Sequence, residues 1–461
     1  MNRLEKNLSQ KIIMKTKGAN EFFRIKWLIS IWTLIFVIYP SHLWATQIND
    51  QLHIDGEVRL RYELMDGFND KIYGETPAVG ESHDGYLLSR VRLSMIYSFT
   101  PSLIFKISMQ DARTIDWGFS DTGWYSKEFG IENNPQKDFL ELYHTYIQAS
   151  NIGGSPFTLT LGRQKIAYGD MRIFGPGEWK NSGKWIWDAL KLSCSKGKYF
   201  IDLFYGATML HDPGEFSLSH RWGYEGFGIY AHYAWETGAI EPVLVYKHND
   251  NGNDSYHSLT HYYTGVRLYD DIGKISYNAT YIRQFGEQVS IGGIKSDVDA
   301  YGWHLDTGYN FMLGSIKMKT GAGYSYASGD DSSTPEIERF DGIFGASDKY
   351  YGRMNLMSCS NLKDAELFII VSPLKNINVK IEYHRFKLAN KSDKWRSYRN
   401  QTGVNEDDLG SEIDVVFEYD IKKNIKFQTG FGHFNPGYFI KKNVPAHNLS
   451  DWCFIQSTIL F

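Results

Sequence analysis

The chain has 461 residues, with 49 Lys+Arg against 53 Asp+Glu and an aromatic content of 31 Tyr, 28 Phe and 13 Trp. A net charge of −4 argues against a general nucleic-acid binder, and no run after residue 45 has the ~18 consecutive apolar residues of a membrane helix. Cys194, Cys359 and Cys453 are odd in number and far apart, so they read as neither a disulfide framework nor a metal site, with one incidental pair left open.

The first segment is an address. Lys11, Lys15, Lys17, Arg24 and Lys26 precede the apolar run from Trp27 to Tyr39, followed by Pro40 and a short segment ending Leu43-Trp44-Ala45. This is the order of a secretory signal peptide, with cleavage expected after Ala45; the large Leu43 keeps an uncleaved anchor as the alternative. Residues 1–45 hold 7 of the 49 basic and 2 of the 53 acidic residues, which leaves 42 against 51 and a formal charge of −9. Any positive field in the remainder must be local.

From there short alternating segments recur. They predict strands at 51–63, 86–99, 103–113, 138–149, 156–165, 184–194, 198–208, 223–235, 239–248, 258–269, 273–285, 299–312, 315–327, 361–372, 375–388, 411–420, 423–434 and 451–461. Tight turns such as Thr100-Pro101-Ser102, Glu236-Thr237-Gly238 and Leu313-Gly314 alternate with longer polar loops. Eighteen strands, with short turns on one side and long loops on the other, predict an all-β fold: a transmembrane antiparallel up-and-down β-barrel with short periplasmic turns. The barrel must close, because lipid leaves no backbone group unpaired. The predicted plan is thus a signal peptide, 1–45, and one barrel, 46–461. The terminal Phe461, sharing a face with Ile459 and Ile455, resembles the end signal read by the outer-membrane assembly machinery.

Alternation also assigns faces. In the first strand Leu52, Ile54, Val58, Leu60 and Tyr62 share one side and His53, Asp55, Glu57, Arg59, Arg61 and Glu63 the other. In the second, Arg90 and Arg92 oppose Val91 and Leu93. If the connection 64–85 is symmetric, Arg59 lies opposite Arg90 and Glu57 opposite Arg92. A basic cluster there suits an anionic polymer, whose carboxylates exchange from one guanidinium to the next. The blander alternative is a wall residue set neutralised by Glu57 and Glu63.

A long loop follows the fifth strand. It and its flanks carry Arg163, Lys165, Asp170, Arg172, Lys180, Lys184 and Asp188 among Trp179, Trp185 and Trp187, a set suited to a polar, anionic, ring-containing ligand. Strict alternation sends Arg163 towards lipid, so either Gly162 is a bulge that turns it inward or it sits at the rim. Asp188 could simply pair with Arg163, and rim Trp and Tyr could be an aromatic girdle.

Gly162-Arg163-Gln164, Tyr168-Gly169-Asp170, Trp179 and Trp187-Asp188 resemble the alginate-export family of outer-membrane β-barrels. Arg59-Leu60-Arg61-Tyr62-Glu63 agrees, as does the late loop with Gly329-Asp330, Phe340-Asp341, Phe344-Gly345 and Tyr351-Gly352; Asp348 departs from the pattern, which has a His there. The resemblance implies a passive channel for an anionic polysaccharide, with no cofactor and with periplasmic polysaccharide-assembly proteins as suppliers. Such a channel must not leak, so loops 166–183 and 328–360 are expected to narrow the lumen. No hydrolase elbow, zinc-protease motif or phosphate loop is present, so no catalytic or metal residues are assigned. A diffusion porin or small-anion channel is the alternative.

Overall fold

The alternating segments form a closed barrel. In the computed structural model the described residues are 46–461 except 48, 70–72, 75–80, 120, 127–130, 212–221, 253–255, 346–349 and 446; the expected signal peptide and Asp348 lie outside them. The barrel strands are β1 Leu52–Asp66, β2 His83–Thr100, β3 Leu103–Ile115, β4 Asp138–Ser150, β5 Phe157–Lys165 and β6 Ile186–Lys196. They continue as β7 Tyr199–Met209, β8 Trp222–Ala234, β9 Ala239–Asn249, β10 Ser258–Ile272, β11 Ile275–Val289 and β12 Lys295–Leu313. The last six are β13 Ile316–Ala327, β14 Leu362–Leu374, β15 Ile377–Lys387, β16 Asp408–Lys422, β17 Ile425–Pro436 and β18 Ser450–Leu460. Each pairs antiparallel with the next, and β18 returns to β1, from Glu57 opposite Leu460 to Asp66 opposite Asp451. All eighteen expected strands are present.

Burial follows the alternation. Val91, Leu93 and Met95 are 45, 52 and 38 % exposed on the outer face, whereas Arg90, Arg92 and Ser94 are 3, 8 and 6 % exposed. Leu161, Leu190, Tyr205, Leu244 and Leu367 continue the apolar outer belt. The bore is polar.

Two of the long connections enter that bore. Loops usually stay at the surface because their peptide groups need partners; here inward wall side chains supply them. On one wall Lys247 of β9 and His261 of β10 approach Asp341 at 3.0 and 3.3 Å. On another, Glu412 accepts from the Met354 N–H at 2.9 Å and Asp414 from that of Arg353 at 3.2 Å, both carboxylates being on β16. Phe344 is fully buried, with ring centroids 4.7 Å from Trp187, 5.5 Å from Trp185 and 6.2 Å from Phe174. Burial of each such ring contributes roughly 2–3 kcal/mol, so the plug has an apolar core of its own. The 166–185 and 328–361 connections also form a backbone bridge, Phe174 to Phe344.

Candidate functional site

The first hairpin supplies the positive wall. β1 and β2 pair Arg59 with Arg90 and Glu57 with Arg92. Four guanidinium groups on two adjacent strands would repel, and each has found compensation. Glu57 lies 2.6 Å from Arg90, and Glu63 lies 2.6 Å from Arg61. Arg61 is wholly buried, its guanidinium 4.0 Å over the Trp179 ring. Arg92 donates to Gln110 at 2.6 Å and lies 3.7 Å over the Tyr143 ring.

The connection between β5 and β6 meets this wall. Pro176-Gly177 turns the chain so that the Glu178 peptide oxygen accepts from Arg59 at 2.7 Å and from Arg90 at 3.4 Å. Asn181, fully buried, accepts from Arg59 at 3.0 Å and donates to the peptide oxygens of Ser89, Arg113 and Gln136. The Glu178 carboxylate is 3.1 Å from Arg92 and 3.3 Å from Lys165, and accepts from the Tyr143 hydroxyl at 2.9 Å. Glu178, Asn181 and Tyr143 were not among the sequence candidates. The Pro-Gly pair signals a turn there, but nothing local says that the turn folds inward.

The earlier part of the same connection meets the opposite wall. Tyr168 stacks on Tyr230 with centroids 4.3 Å apart, and Asp170 joins Arg172 at 3.1 Å. Gly169 has φ +56, and a Cβ there would lie 2.8 Å from the Tyr230 hydroxyl and 2.9 Å from a Glu241 oxygen, so only glycine lets the chain approach. Arg172 is stacked 4.2 Å from Tyr350 and bonds His304 at 3.0 Å. Burial would raise the Asp170 carboxyl, but Arg172 and Arg267 hold it below its ordinary value.

Arg163, Asp188 and Trp187 divide differently. Trp187 is fully buried on the bore side between Phe344 and Phe204, with no open face. Its neighbour Asp188 lies opposite Arg163 in register. Their bidentate pair, 2.8 and 2.8 Å, stands near the long-loop end of β5, with Arg163 buried and also 3.5 Å from Glu141. Trp222 donates to the same carboxylate at 2.9 Å. Gly162 has φ +122 with no register shift beside it, so it twists the strand without inserting a residue. Arg59, Arg61, Arg90, Arg92 and Lys165 gather around the 176–181 turn; Arg172 belongs to the opposite cluster, and Arg163 and Asp188 form a separate pair at the long-loop end of β5.

Two cavities adjoin the turn. One of about 320 Å³ is lined by Glu178, Trp179, Arg353, Glu418, Gln428 and Gln456 among others. The second, about 330 Å³, is lined by Lys106, Tyr146, Thr160, Lys165 and Lys191 among others.

A closed eighteen-stranded antiparallel barrel with an apolar belt, a charged bore and inward loops is the architecture of an outer-membrane transport channel. The chain belongs to the alginate-export family, whose pattern, described as alginate export, matches residues 50–454. Its place is the bacterial outer membrane. Solved barrels share the fold at low identity. Acinetobacter baumannii OccAB1 is 10 % identical, with 92 % of this chain and 99 % of that one covered at TM-score 0.59. A BenF-like porin from Pseudomonas fluorescens Pf-5 is 10 % identical, with 90 and 100 % covered at 0.56. Pseudomonas aeruginosa OpdK, solved with vanillate, is 9 % identical, with 88 and 98 % covered at 0.53. No curated protein sequence matches the chain.

Proposed function

We propose that the barrel passes an anionic exopolysaccharide, an alginate-like polyuronate, passively through its arginine-lined bore. The observation that carries this reading is the ladder Arg59, Arg61, Arg90 and Arg92 beside the inward turn, in a chain of the alginate-export family. Hydrogen bonds to charged groups contribute about 1.5–3 kcal/mol each. A polymer that always trades one carboxylate contact for the next meets only small barriers, and movement follows its concentration gradient. Periplasmic assembly proteins would deliver the polymer, and residues 1–45 would be removed on export of the chain itself. The second reading, a small-anion or oligosaccharide porin, draws support from OpdK, a barrel of this fold solved with a small aromatic carboxylate.

The test is a planar bilayer recording of the mature protein with and without Arg59→Glu plus Arg90→Glu. The double variant should keep the heat-dependent gel shift of a folded barrel, lose or reverse its anion preference, and be blocked less by uronate oligomers. Unaltered ion selectivity and oligomer block in a folded double variant would remove these arginines from the pathway.

A further inference from the structure

Glu178 stands in the bore as a bound carboxylate would. Arg92, Lys165 and Tyr143 converge on one of its oxygens, at 3.1, 3.3 and 2.9 Å. The turn's backbone is also pinned by Arg59, Arg90 and Asn181, so the side chain is not all that holds it. It also keeps 34 % exposure. Glu178 lines the first cavity and Lys165 the second, so their ion pair stands between the two. Burial would raise the Glu178 carboxyl, but Arg92, Lys165 and Arg90 hold it far below the usual carboxylate range, so it is charged.

We propose that Arg92, Lys165 and Tyr143 form a carboxylate-binding site, that Glu178 occupies it as an internal surrogate, and that an incoming uronate or other small carboxylate opens the passage by displacing it. The exchange leaves no cation unpaired, because one carboxylate replaces another and the displaced Glu178 side chain turns to the cavity it already lines. A neutral sugar that pushed Glu178 aside would take from Lys165 and Arg92 the carboxylate they share, leaving Arg92 only the more distant field of Glu57, and is disfavoured by that penalty. The inference rests on the channel reading, but the site itself requires only a carboxylate, not a polymer.

Glu178→Gln keeps the shape of the side chain and removes its charge. In bilayer recordings of the mature protein, the concentration of glucuronate or of a tri-uronate that half-blocks the current should fall roughly tenfold once the internal competitor is gone. Block by neutral maltotriose should not change. Glu178→Asp should stay near the parent, and adding Arg92→Gln to Glu178→Gln should cancel the gain. A heat-shift gel on each variant checks that the barrel is folded. An equal gain for maltotriose would mean a merely loosened loop and would overturn the proposal, as would a folded Glu178→Gln protein with no gain for glucuronate. If long polyuronates never block but Glu178→Gln gains sensitivity to glucuronate, the polymer reading falls and the surrogate site stands.

Discussion

Arg59 and Arg90 face each other across the first hairpin and donate to one shared acceptor, the peptide oxygen of Glu178, at 2.7 and 3.4 Å. Like charges directly opposite in a sheet destabilise it by roughly 0.2–1 kcal/mol. The shared acceptor, together with Glu57 at 2.6 Å from Arg90, offsets that repulsion. The two arginines are therefore also a clamp. On the proposed function, a group that drew them away from the peptide oxygen would loosen the inward turn.

Asn181→Ala tests the clamp without touching a charge. It removes the side-chain donor to the peptide oxygens of Ser89, Arg113 and Gln136, which should cost about 2–4 kcal/mol of stability at the turn. The barrel should still fold, while single-channel conductance rises and fluctuates. A quiet channel of parental conductance would show that the turn is held by other contacts.

Phe344→Ala tests the plug core. Removing a fully buried ring typically costs about 3–5 kcal/mol, and here the loss falls on the loop rather than on the barrel ladders. Limited proteolysis within 328–361 should accelerate by orders of magnitude while the heat-shift midpoint barely moves. Cleavage at the parental rate would place the loop's stability in its polar anchors, Asp341 and the 353–354 peptide groups.

Arg163→Met separates rim from bore. The bidentate pair with Asp188 lies at the long-loop end of β5, where Arg163 is also 3.5 Å from the buried Glu141, so its loss should lower the unfolding temperature and leave the reversal potential unchanged. A shifted reversal potential would show that Arg163 contributes to the field inside.

The plug should tolerate mild acid. Burial pushes the carboxyls of Glu178 and Asp341 up, but Arg92 and Lys165 for the first, and Lys247 and His261 for the second, hold both well below their ordinary values. A depressed carboxyl stabilises the closed loop fully above its unfolded value of about 4 and loses that stabilisation only as the pH falls through the lower, folded value. The hold of these two carboxylates on the loop should therefore stay constant from about pH 8 to about pH 5, and conductance with it where they alone set closure. Opening within that window would assign closure to other titrating groups.

Chain-local physics determined the barrel. A period of two decides which side chains face out and tight turns decide which strands are neighbours, whereas Arg59 opposite Arg90 followed only from taking the connection 64–85 as symmetric, a register the barrel adopts. The family resemblance, too, rested on local strings such as Tyr168-Gly169-Asp170, now confirmed by the match over 50–454. What those strings do was not legible. Glycine at 169 is explained by a Tyr230 hydroxyl and a Glu241 carboxylate more than sixty residues away, and glycine at 352 by Glu412 on the far wall. Trp187 read as an open ring, and is covered by Phe344. Glu178 had no distinguishing neighbour in sequence, because its three partners come from β2, β4 and β5. Only the closed barrel brings these together: its strands obey local periodicity, whereas the loops inside obey the side chains that curvature gathers around them.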